Sequence, residues 1–417
     1  MVSLFCILKN IKEVPLKPFF KTFTEKLTEG LLLLSSTVTS LTVVLIVFFL
    51  FKEGISLFNE KPIESGYAVV INKNNNVRQL SSAEIKNIYD QKITDWSELG
   101  AKKDSIILFR LEEISNYYTD EQIGENFEGL PNCLSRLVDS IPGVIAFFPE
   151  KYIDKNFKGK KLELEKVSFK EFFGGEEWFP TAQPTAQLGV KPLIMGTLWV
   201  SFGAILFALP IGLAASVYMS EIAGDRVRRI MKPLIELLAG IPSVVYGFFG
   251  LVVIVPLIQK TFGVPVGETG LAGSIILGIM ALPTIITISE DAMRNTPRAM
   301  KEASLALGAS KWQTIYKIVI PYSISGISAA AILGIGRAIG ETMAVLMVTG
   351  NAAVMPHSIL EPMRTIPATI AAELGEAPDG GLHYKALFAL GCILFIITLF
   401  INLTVEYVST RNKHKKH

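Results

Sequence analysis

Residues 295–321 read NTPRAMKEASLALGASKWQTIYKIVIP, a polar and amphipathic stretch between two long apolar segments. Thr296 is a favourable N-cap residue, and the proline after it suits the first helical position, where its missing N–H costs nothing. Gly308 can adopt the left-handed conformation that ends this helix. Ser310 and Gln313 have the spacing of a capping box that opens a second helix. The sequence therefore predicts two short capped helices, joined by a glycine, at a membrane surface.

Composition and apolar runs indicate a membrane protein with one sizeable hydrophilic part. Of 417 residues, 50% are hydrophobic and 19% charged, with a mean hydropathy of +0.42. Runs of about 20 apolar residues cross a bilayer as helices. The sequence predicts six, near 31–52, 193–219, 234–258, 269–290, 322–349 and 384–408. The first run is longer than the apolar core of a cleavable signal peptide and lacks a small-residue cleavage site, so we expect a membrane helix there.

Lysine and arginine are distributed unevenly around these runs. They are concentrated in the N-terminal tail (1–30), the 220–233 loop, the 295–321 segment and the C-terminal tail (410–417). The two short loops predicted on the opposite side carry only Lys260 and Arg364. Basic residues near membrane helices stay on the cytoplasmic side. We therefore expect both termini and the 295–321 segment in the cytoplasm, and the long polar stretch after the first run outside.

Helix-breaking residues lie within three of the predicted spans. Pro210 and Gly212 interrupt the second span, Pro242 interrupts the third and Pro283 interrupts the fourth. A proline frees a backbone carbonyl, which is costly in lipid unless another group satisfies it. Such segments are expected to face other helices or a water-filled path.

Two charged residues lie near the middle of the predicted fifth span. In GRAIGETMAVLM (336–347), Arg337 and Glu341 are four residues apart, which predicts one helix face for both. Each costs roughly 2.5–3.5 kcal/mol at the centre of a membrane helix, so such residues usually mark a pathway or a pair. Arg337 could contact a passing oxyanion through its planar fork; alternatively, the two charges only neutralise each other. Glu236, just inside the third span, is a weaker candidate.

The 295–321 segment also resembles a known loop. The residues EAS at 302–304, Gly308 and IP at 320–321 are similar to the EAA loop of ABC-transporter permeases, with Ser304 replacing the second alanine. The resemblance implies that this loop docks in a cleft of an ATPase subunit. It implies coupling roles for four residues: Glu302, Ala303, Gly308 and Ala309. An ordinary amphipathic cytoplasmic loop is the alternative interpretation.

A closer resemblance lies in the apolar segments. IELLAGIPSVVYGFFGL (235–251), GRAIGETMAVLMVTGN (336–351) and TIPATIAAELGEAP (365–378) resemble the phosphate-specific ABC permeases, and GETMAV is similar to their PstC-type subunit. The resemblance implies an all-α membrane protein of the six-helix, binding-protein-dependent, MetI-like importer class, with the permease domain over 190–409. It also implies a multi-pass protein in the plasma (inner) membrane of a prokaryote.

The same resemblance implies the function and the partners. The chain would import phosphate as a heterodimer with a second, PstA-type permease, with two copies of an ATPase subunit and an extracytoplasmic phosphate-binding protein. It has no Walker-type phosphate loop, so we expect no enzyme activity and no cofactor in this chain, with ATP–Mg held by the ATPase. No metal site is expected from Cys6, Cys133 and Cys392, which lack ligand spacing. The basic runs follow from membrane orientation, so no nucleic-acid partner is expected. A permease for another oxyanion and a phosphate-sensing receptor remain alternatives.

The long polar stretch contains a predicted insert, residues 64–165. Strand patterns at 67–71 and 106–109, and a strand with the start of a helix at 143–153, alternate with a helix that Ser81 or Ser82 would cap, which predicts a small α/β unit. The insert resembles one lobe of periplasmic-type phosphate-binding proteins. That lobe follows its arginine with a Ser/Gly-rich turn, whereas Arg110 is followed here by LEEIS. Two carboxylates would repel phosphate, so Arg110 is a weaker anion-binding candidate. Docking of the binding protein, regulation and simple shielding of the pore mouth remain open as roles of the insert.

Overall fold

The computed structural model describes residues 18–124 and 126–414, with side chains described for 26–124, 126–404, 406 and 407. Residues 1–17 of the predicted N-terminal tail (1–30) lie outside the described residues, as do residues 415–417 of the predicted basic tail (410–417). Cys6 lies outside them as well. Residues 1–52 form one unit and residues 53–417 a second. The first unit, as described, is a single helix.

The described residues are mostly helical. The helices are α1 (Pro18–Ser56), α2 (Ser82–Tyr89), α3 (Asp120–Ile123), α4 (Leu130–Ser140), α5 (Phe169–Gly174), α6 (Lys191–Val217), α7 (Asp225–Gly240), α8 (Ser243–Phe249), α9 (Val255–Phe262), α10 (Gly270–Arg294), α11 (Arg298–Ala306), α12 (Lys311–Thr314), α13 (Ile320–Gly340), α14 (Met343–Val348), α15 (Ile366–Glu373) and α16 (Leu382–His414). The strands are β1 (Tyr67–Ile71), β2 (Gln79–Leu80), β3 (Ile107–Arg110), β4 (Val144–Pro149), β5 (Lys160–Lys161), β6 (Glu163–Leu164), β7 (Trp178–Phe179) and β8 (Gln187–Leu188).

Within the described residues, six helical stretches are long and apolar enough to cross a membrane: Lys26–Asn59, Lys191–Ile222, Ser243–Phe262, Gly270–Arg294, Lys311–Gly340 and Leu382–Thr404. The prediction of six spans is confirmed, whereas the bounds of two differ. The third was predicted at 234–258, but residues 225–240 form the separate helix α7. The fifth was predicted at 322–349, but its helix starts at Lys311 and ends at Gly340.

Close packing of α10 against α6 and α13 forms the centre of the helical bundle. Small residues make this approach possible, since a Cβ atom built on Gly203 of α6 would lie 2.3 Å from the Ser274 hydroxyl of α10. Pro210 and Pro283 do not interrupt their helices, contrary to prediction, because α6 and α10 continue through them. The predicted break near Pro242 is confirmed, between α7 and α8.

The insert folds around one four-stranded sheet in the order β3-β4-β1-β5. β1 is antiparallel to β4 and β5, and β3 is parallel to β4. Buried side chains cover both faces: Phe109, Leu134 and Phe148 belong to one apolar cluster, Trp96 and Ile145 to the other. The predicted strand at 67–71 is confirmed, and so is the predicted helix cap, at Ser81, which forms a capping box with Glu84 at the start of α2.

The chain enters and leaves the insert at adjacent points. The Val167 amide donates a hydrogen bond to the Glu60 carbonyl oxygen (3.0 Å), immediately outside the two ends of the insert. Helix α2 also contacts the segment that leads into α6. There the Ser82 hydroxyl donates to the Ala186 carbonyl oxygen (3.0 Å), and Lys86 pairs with Glu177 (2.7 Å).

Candidate functional site

The predicted helix–glycine–helix pattern of residues 295–321, hereafter the interhelical segment, is largely confirmed. Gly308 has φ +85°, and the Ser310–Gln313 capping box opens α12. Thr296 is not the cap, because its hydroxyl lies 3.2 Å from that of Ser323 and α11 begins two residues later. The second helix is not a separate short one, since α12 continues through a π-helical turn into α13.

The interhelical segment presents an exposed apolar face. Leu307 is 90% exposed, and other large apolar side chains are exposed beside it: Met300, Leu305, Trp312 and Tyr316. Of the predicted coupling residues, Glu302, Ala303 and Gly308 are exposed and Ala309 is half-buried. An exposed apolar patch of this kind, rimmed by polar residues, is typical of a protein interaction site.

Two side-chain contacts fix the orientation of α11. The Lys301 ammonium lies 2.6 Å from the Glu221 carboxylate, and these side chains are only 21% and 12% exposed. Glu221 belongs to the π-helical turn that follows α6. The second contact joins α11 to α12 across Gly308, where the Ser304 and Thr314 hydroxyls are 3.0 Å apart. The interhelical segment is therefore attached to the end of α6 as well as to α10 and α13.

A buried carboxylate joins α7 to α10 on the same side of the bundle. The Glu290 side chain is 2% exposed and has three cations around it: Arg228 at 3.2 Å, Lys232 at 3.8 Å and Arg294 at 3.8 Å. Neither Glu290 nor Glu221 was predicted as a site residue. The sequence feature that could have indicated them is an acidic residue at the end of an apolar run, close to a basic loop.

The structure separates the two charged residues of the fifth span. Helix α13 ends at Gly340, and Glu341 has the extended conformation φ −73°, ψ 134°. The prediction that Arg337 and Glu341 share one helix face is therefore wrong, because the helix that would align them stops between them. Both side chains are half-buried, and the ion pairs of the described side chains include neither.

Arg337 lies close to a second helix break. The next residue, Ala338, belongs to the same buried cluster as Tyr246 of α8. The Tyr246 hydroxyl donates to the Leu238 carbonyl oxygen across the α7–α8 break (2.8 Å). Helix α8 packs tightly on α14, where a Cβ on Gly247 would lie 2.7 Å from the Met347 sulfur. Two interrupted helices thus meet beside one guanidinium. In transporters, such discontinuous helices are typical of ion and substrate sites.

The two weaker candidates lie in α7 and in the insert. Glu236 is exposed on α7 and does not lie inside the third span, because that span begins at Ser243. Arg110 is exposed at the end of β3 in the insert. No group of three or more His, Cys, Asp or Glu side chains is arranged to hold a metal ion within residues 26–124, 126–404, 406 and 407.

A carboxylate network that no sequence pattern predicted lies on the side of the insert. Glu373 accepts hydrogen bonds from Arg364 (2.5 Å) and from the Trp178 indole (3.0 Å), and lies 2.9 Å from the His383 ring nitrogen. Burial raises the pKa of Glu373, but hydrogen bonds from His383 and Trp178 and the Arg364 charge outweigh it, so the pKa is lower than usual. Glu373 therefore joins β7, α15 and α16 as a carboxylate.

Comparison with known proteins gives a family match. Residues 192–414 match the family described as "Binding-protein-dependent transport system inner membrane component". The chain is 40% identical over 247 residues to the "Probable ABC transporter permease protein YqgH" of Bacillus subtilis, with 59% of this chain and 80% of the relative covered. It is 37% identical over 274 residues to the "Phosphate transport system permease protein PstC" of Mesorhizobium japonicum, with 61% and 82% covered.

A solved structure is also similar. An inward-facing structure of the MetNI methionine ABC transporter matches with a TM-score of 0.43 and 20% identity, covering 53% of this chain and 96% of that one.

Proposed function

The chain belongs to the family of binding-protein-dependent transport system inner membrane components, and from this premise we propose that it is the permease subunit of an ATP-driven phosphate importer. It is a transport subunit and not an enzyme, and ATP is hydrolysed in a separate ATPase subunit. Two relatives carry the name of a permease, and the one from Mesorhizobium japonicum is named for phosphate transport.

The observation that carries the proposal is the exposed apolar face of the interhelical segment. Leu307, Trp312 and Tyr316 are exposed on a segment whose helices are held by Lys301–Glu221 and Ser304–Thr314 contacts. A rigid projection of this kind transmits force from a partner that binds it. We assign that partner as the ATPase, with Glu302, Ala303, Gly308 and Ala309 at the contact.

In this mechanism the interhelical segment moves as a rigid body when the ATPase subunits close on ATP. The movement passes to α6 through Glu221 and to α13 through α12, and it rocks the bundle between inward-open and outward-open states. Arg337 contacts the passing anion with its planar fork. Glu341, which follows the end of α13, is assigned to the same pathway but not to a pair with Arg337.

The finer assignments of partners and location are also part of the proposal. The second permease is of the PstA type and forms a heterodimer with this chain, with two copies of the ATPase and an extracytoplasmic phosphate-binding protein. The assembly lies in the plasma (inner) membrane of a prokaryote, with both termini cytoplasmic, and lipid surrounds it. No cofactor is assigned to this chain, since ATP–Mg belongs to the ATPase.

Uptake in reconstituted vesicles tests the proposed function. The chain, the second permease, the ATPase and the binding protein are reconstituted together, and uptake of radiolabelled phosphate is measured with ATP and with a non-hydrolysable analogue. We expect ATP-dependent uptake that excess sulfate and molybdate do not inhibit. Inhibition by sulfate or molybdate would identify a permease for another oxyanion. Phosphate binding without uptake would identify a receptor.

A further inference from the structure

A cavity of about 470 Å³ opens in the insert at the carboxyl ends of the parallel strands β3 and β4. Its size lies within the range of about 300–1,000 Å³ that is common for small-molecule sites. Ligands of α/β folds bind beyond the carboxyl ends of parallel strands, where loops diverge. Pro184, from the segment that leads to α6, also lines the cavity.

One wall of the cavity carries a buried hydroxyl without a partner. The Tyr89 hydroxyl oxygen is buried, and no hydrogen-bond partner lies near it among the described residues. Leaving such a group unpaired costs about 1–3 kcal/mol, so native proteins rarely do so. Burial raises the pKa of Tyr89 against a smaller lowering by Arg110, and the hydroxyl therefore stays protonated. It is a donor at the cavity wall that lacks an acceptor.

A second unused donor lines the same cavity. Arg110 belongs to no ion pair or side-chain hydrogen bond found among the described residues, and its charge acts on Tyr89. A guanidinium and a hydroxyl at the wall of one cavity favour an anion. Glu112 also lines the cavity, and its negative charge disfavours a dianion such as hydrogen phosphate more strongly than a single carboxylate.

The remaining walls are aromatic. The rings of Tyr67 and Phe147 are stacked, with centroids 5.0 Å apart and planes 16° apart. Stacked rings form a flat apolar surface that suits the body of an organic ligand. The cavity therefore combines two hydrogen-bond donors, the negative charge of Glu112 and an aromatic wall.

We propose that this cavity binds a small organic carboxylate with an apolar or aromatic body. The carboxylate accepts hydrogen bonds from Arg110 and Tyr89, and the body packs on Tyr67 and Phe147. Binding at this site requires neither ATP nor the partner subunits, so it stands independently of phosphate transport.

Isothermal titration calorimetry on the full-length protein in detergent tests this site, with 3-phenylpropionate, acetate and inorganic phosphate as probes. We expect saturable binding of 3-phenylpropionate and at least tenfold weaker binding of the other two. Arg110→Gln is expected to weaken 3-phenylpropionate binding about tenfold or more, and Tyr89→Phe about fivefold, as for lost hydrogen bonds. Tyr89→Phe should leave the melting temperature unchanged or higher, because it removes an unpartnered hydroxyl.

Matched controls separate the cavity from the rest of the insert. Lys155→Gln removes an exposed cation outside the cavity, and Tyr117→Phe removes an exposed tyrosine hydroxyl; both should bind as the unaltered chain does. The proposal is overturned if 3-phenylpropionate does not saturate, or if phosphate binds as tightly. It is equally overturned if Arg110→Gln and Tyr89→Phe leave binding unchanged, or if Tyr89→Phe only lowers the melting temperature.

Discussion

Arg337 carries a half-buried guanidinium that belongs to no ion pair within the described side chains. It lies three residues before Gly340, the last residue of α13, and four before the helix break at Glu341. An unpaired cation in a membrane-spanning helix is costly unless it faces water or a passing anion. The end of the helix explains why the guanidinium is unpaired. Glu341, the nearest acidic residue along the chain, has extended backbone and no longer continues the helix that carries Arg337.

We expect Arg337→Ala to reduce phosphate uptake about tenfold or more, since hydrogen bonds to charged groups are worth about 1.5–3 kcal/mol. Uptake of radiolabelled phosphate by whole cells measures the effect, and immunoblots of membrane fractions check insertion. Lys260→Ala, which removes an exposed cation elsewhere in the bundle, serves as the control. Normal uptake by an inserted Arg337→Ala protein would remove Arg337 from the anion pathway.

Glu373 should make the stability of the protein depend on pH. Its pKa is lowered in the fold, so its contribution to stability is present above its unfolded pKa of about 4.3. That contribution is lost as the pH falls through the lower folded value. Loss of this buried partner in Glu373→Ala is expected to cost about 3–5 kcal/mol. Melting temperatures of the purified protein between pH 3 and 7 measure both effects, with exposed Glu376→Ala as the control. Equal melting temperatures for the two variants at pH 7 would contradict the assignment.

Helix α11 depends on the salt bridge between Lys301 and Glu221, which are 80 positions apart along the chain. We expect Lys301→Glu and Glu221→Lys each to uncouple ATP hydrolysis from uptake, because like charges in a mostly buried pair force α11 away from the end of α6. The measured quantity is phosphate transported per ATP hydrolysed in vesicles. The double exchange restores opposite charges and should recover much of the ratio. If the double variant is no better than either single one, force does not pass through this pair.

Gly308 offers a second test of the interhelical segment. A non-glycine residue at φ +85° costs about 1–2 kcal/mol, and proline cannot adopt that angle at all. Gly308→Ala should therefore lower uptake, and Gly308→Pro should abolish it while the protein still inserts. Gly224→Ala is the matched control, because a Cβ atom would meet open space at either glycine but Gly224 has φ −70°. Equal uptake by the two alanine variants would show that the angle at Gly308 is unimportant.

Local signals predicted the elements better than the contacts between them. Gly308 and the Ser310 capping box depend on neighbouring residues, and both are confirmed. The pairing of Lys301 with Glu221 depends on where two distant helices meet, which no local spacing reveals. The prediction that Glu341 shares a helix face with Arg337 failed for a related reason, because a periodic pattern assumes a continuous helix. The sequence alone did not show that α13 ends at Gly340.

The proposed placement of the chain across the membrane, which we infer from its basic loops, can be tested directly. In a cysteine-free background, a cysteine at Ser310 should react with a membrane-impermeant maleimide only after the membrane is opened. A cysteine at Lys155 in the insert should react in intact cells. Ser310 and Lys155 are both exposed, so access to each depends on the side of the membrane. The opposite pattern would place the interhelical segment outside the cell and rule out its contact with an ATPase.

The hydrogen bond between Val167 and Glu60 closes the chain just outside the insert. Because the two ends of the insert are adjacent, a junction of a few residues would be long enough to connect Glu60 directly to Val167. An in-frame insertion or deletion at this junction would therefore add or remove the whole α/β unit, at the loss of contacts such as those of Ser82 and Lys86 with the segment that leads into α6. The same geometry gives protein engineers a ready position for grafting a reporter or a foreign sensor domain onto a transporter.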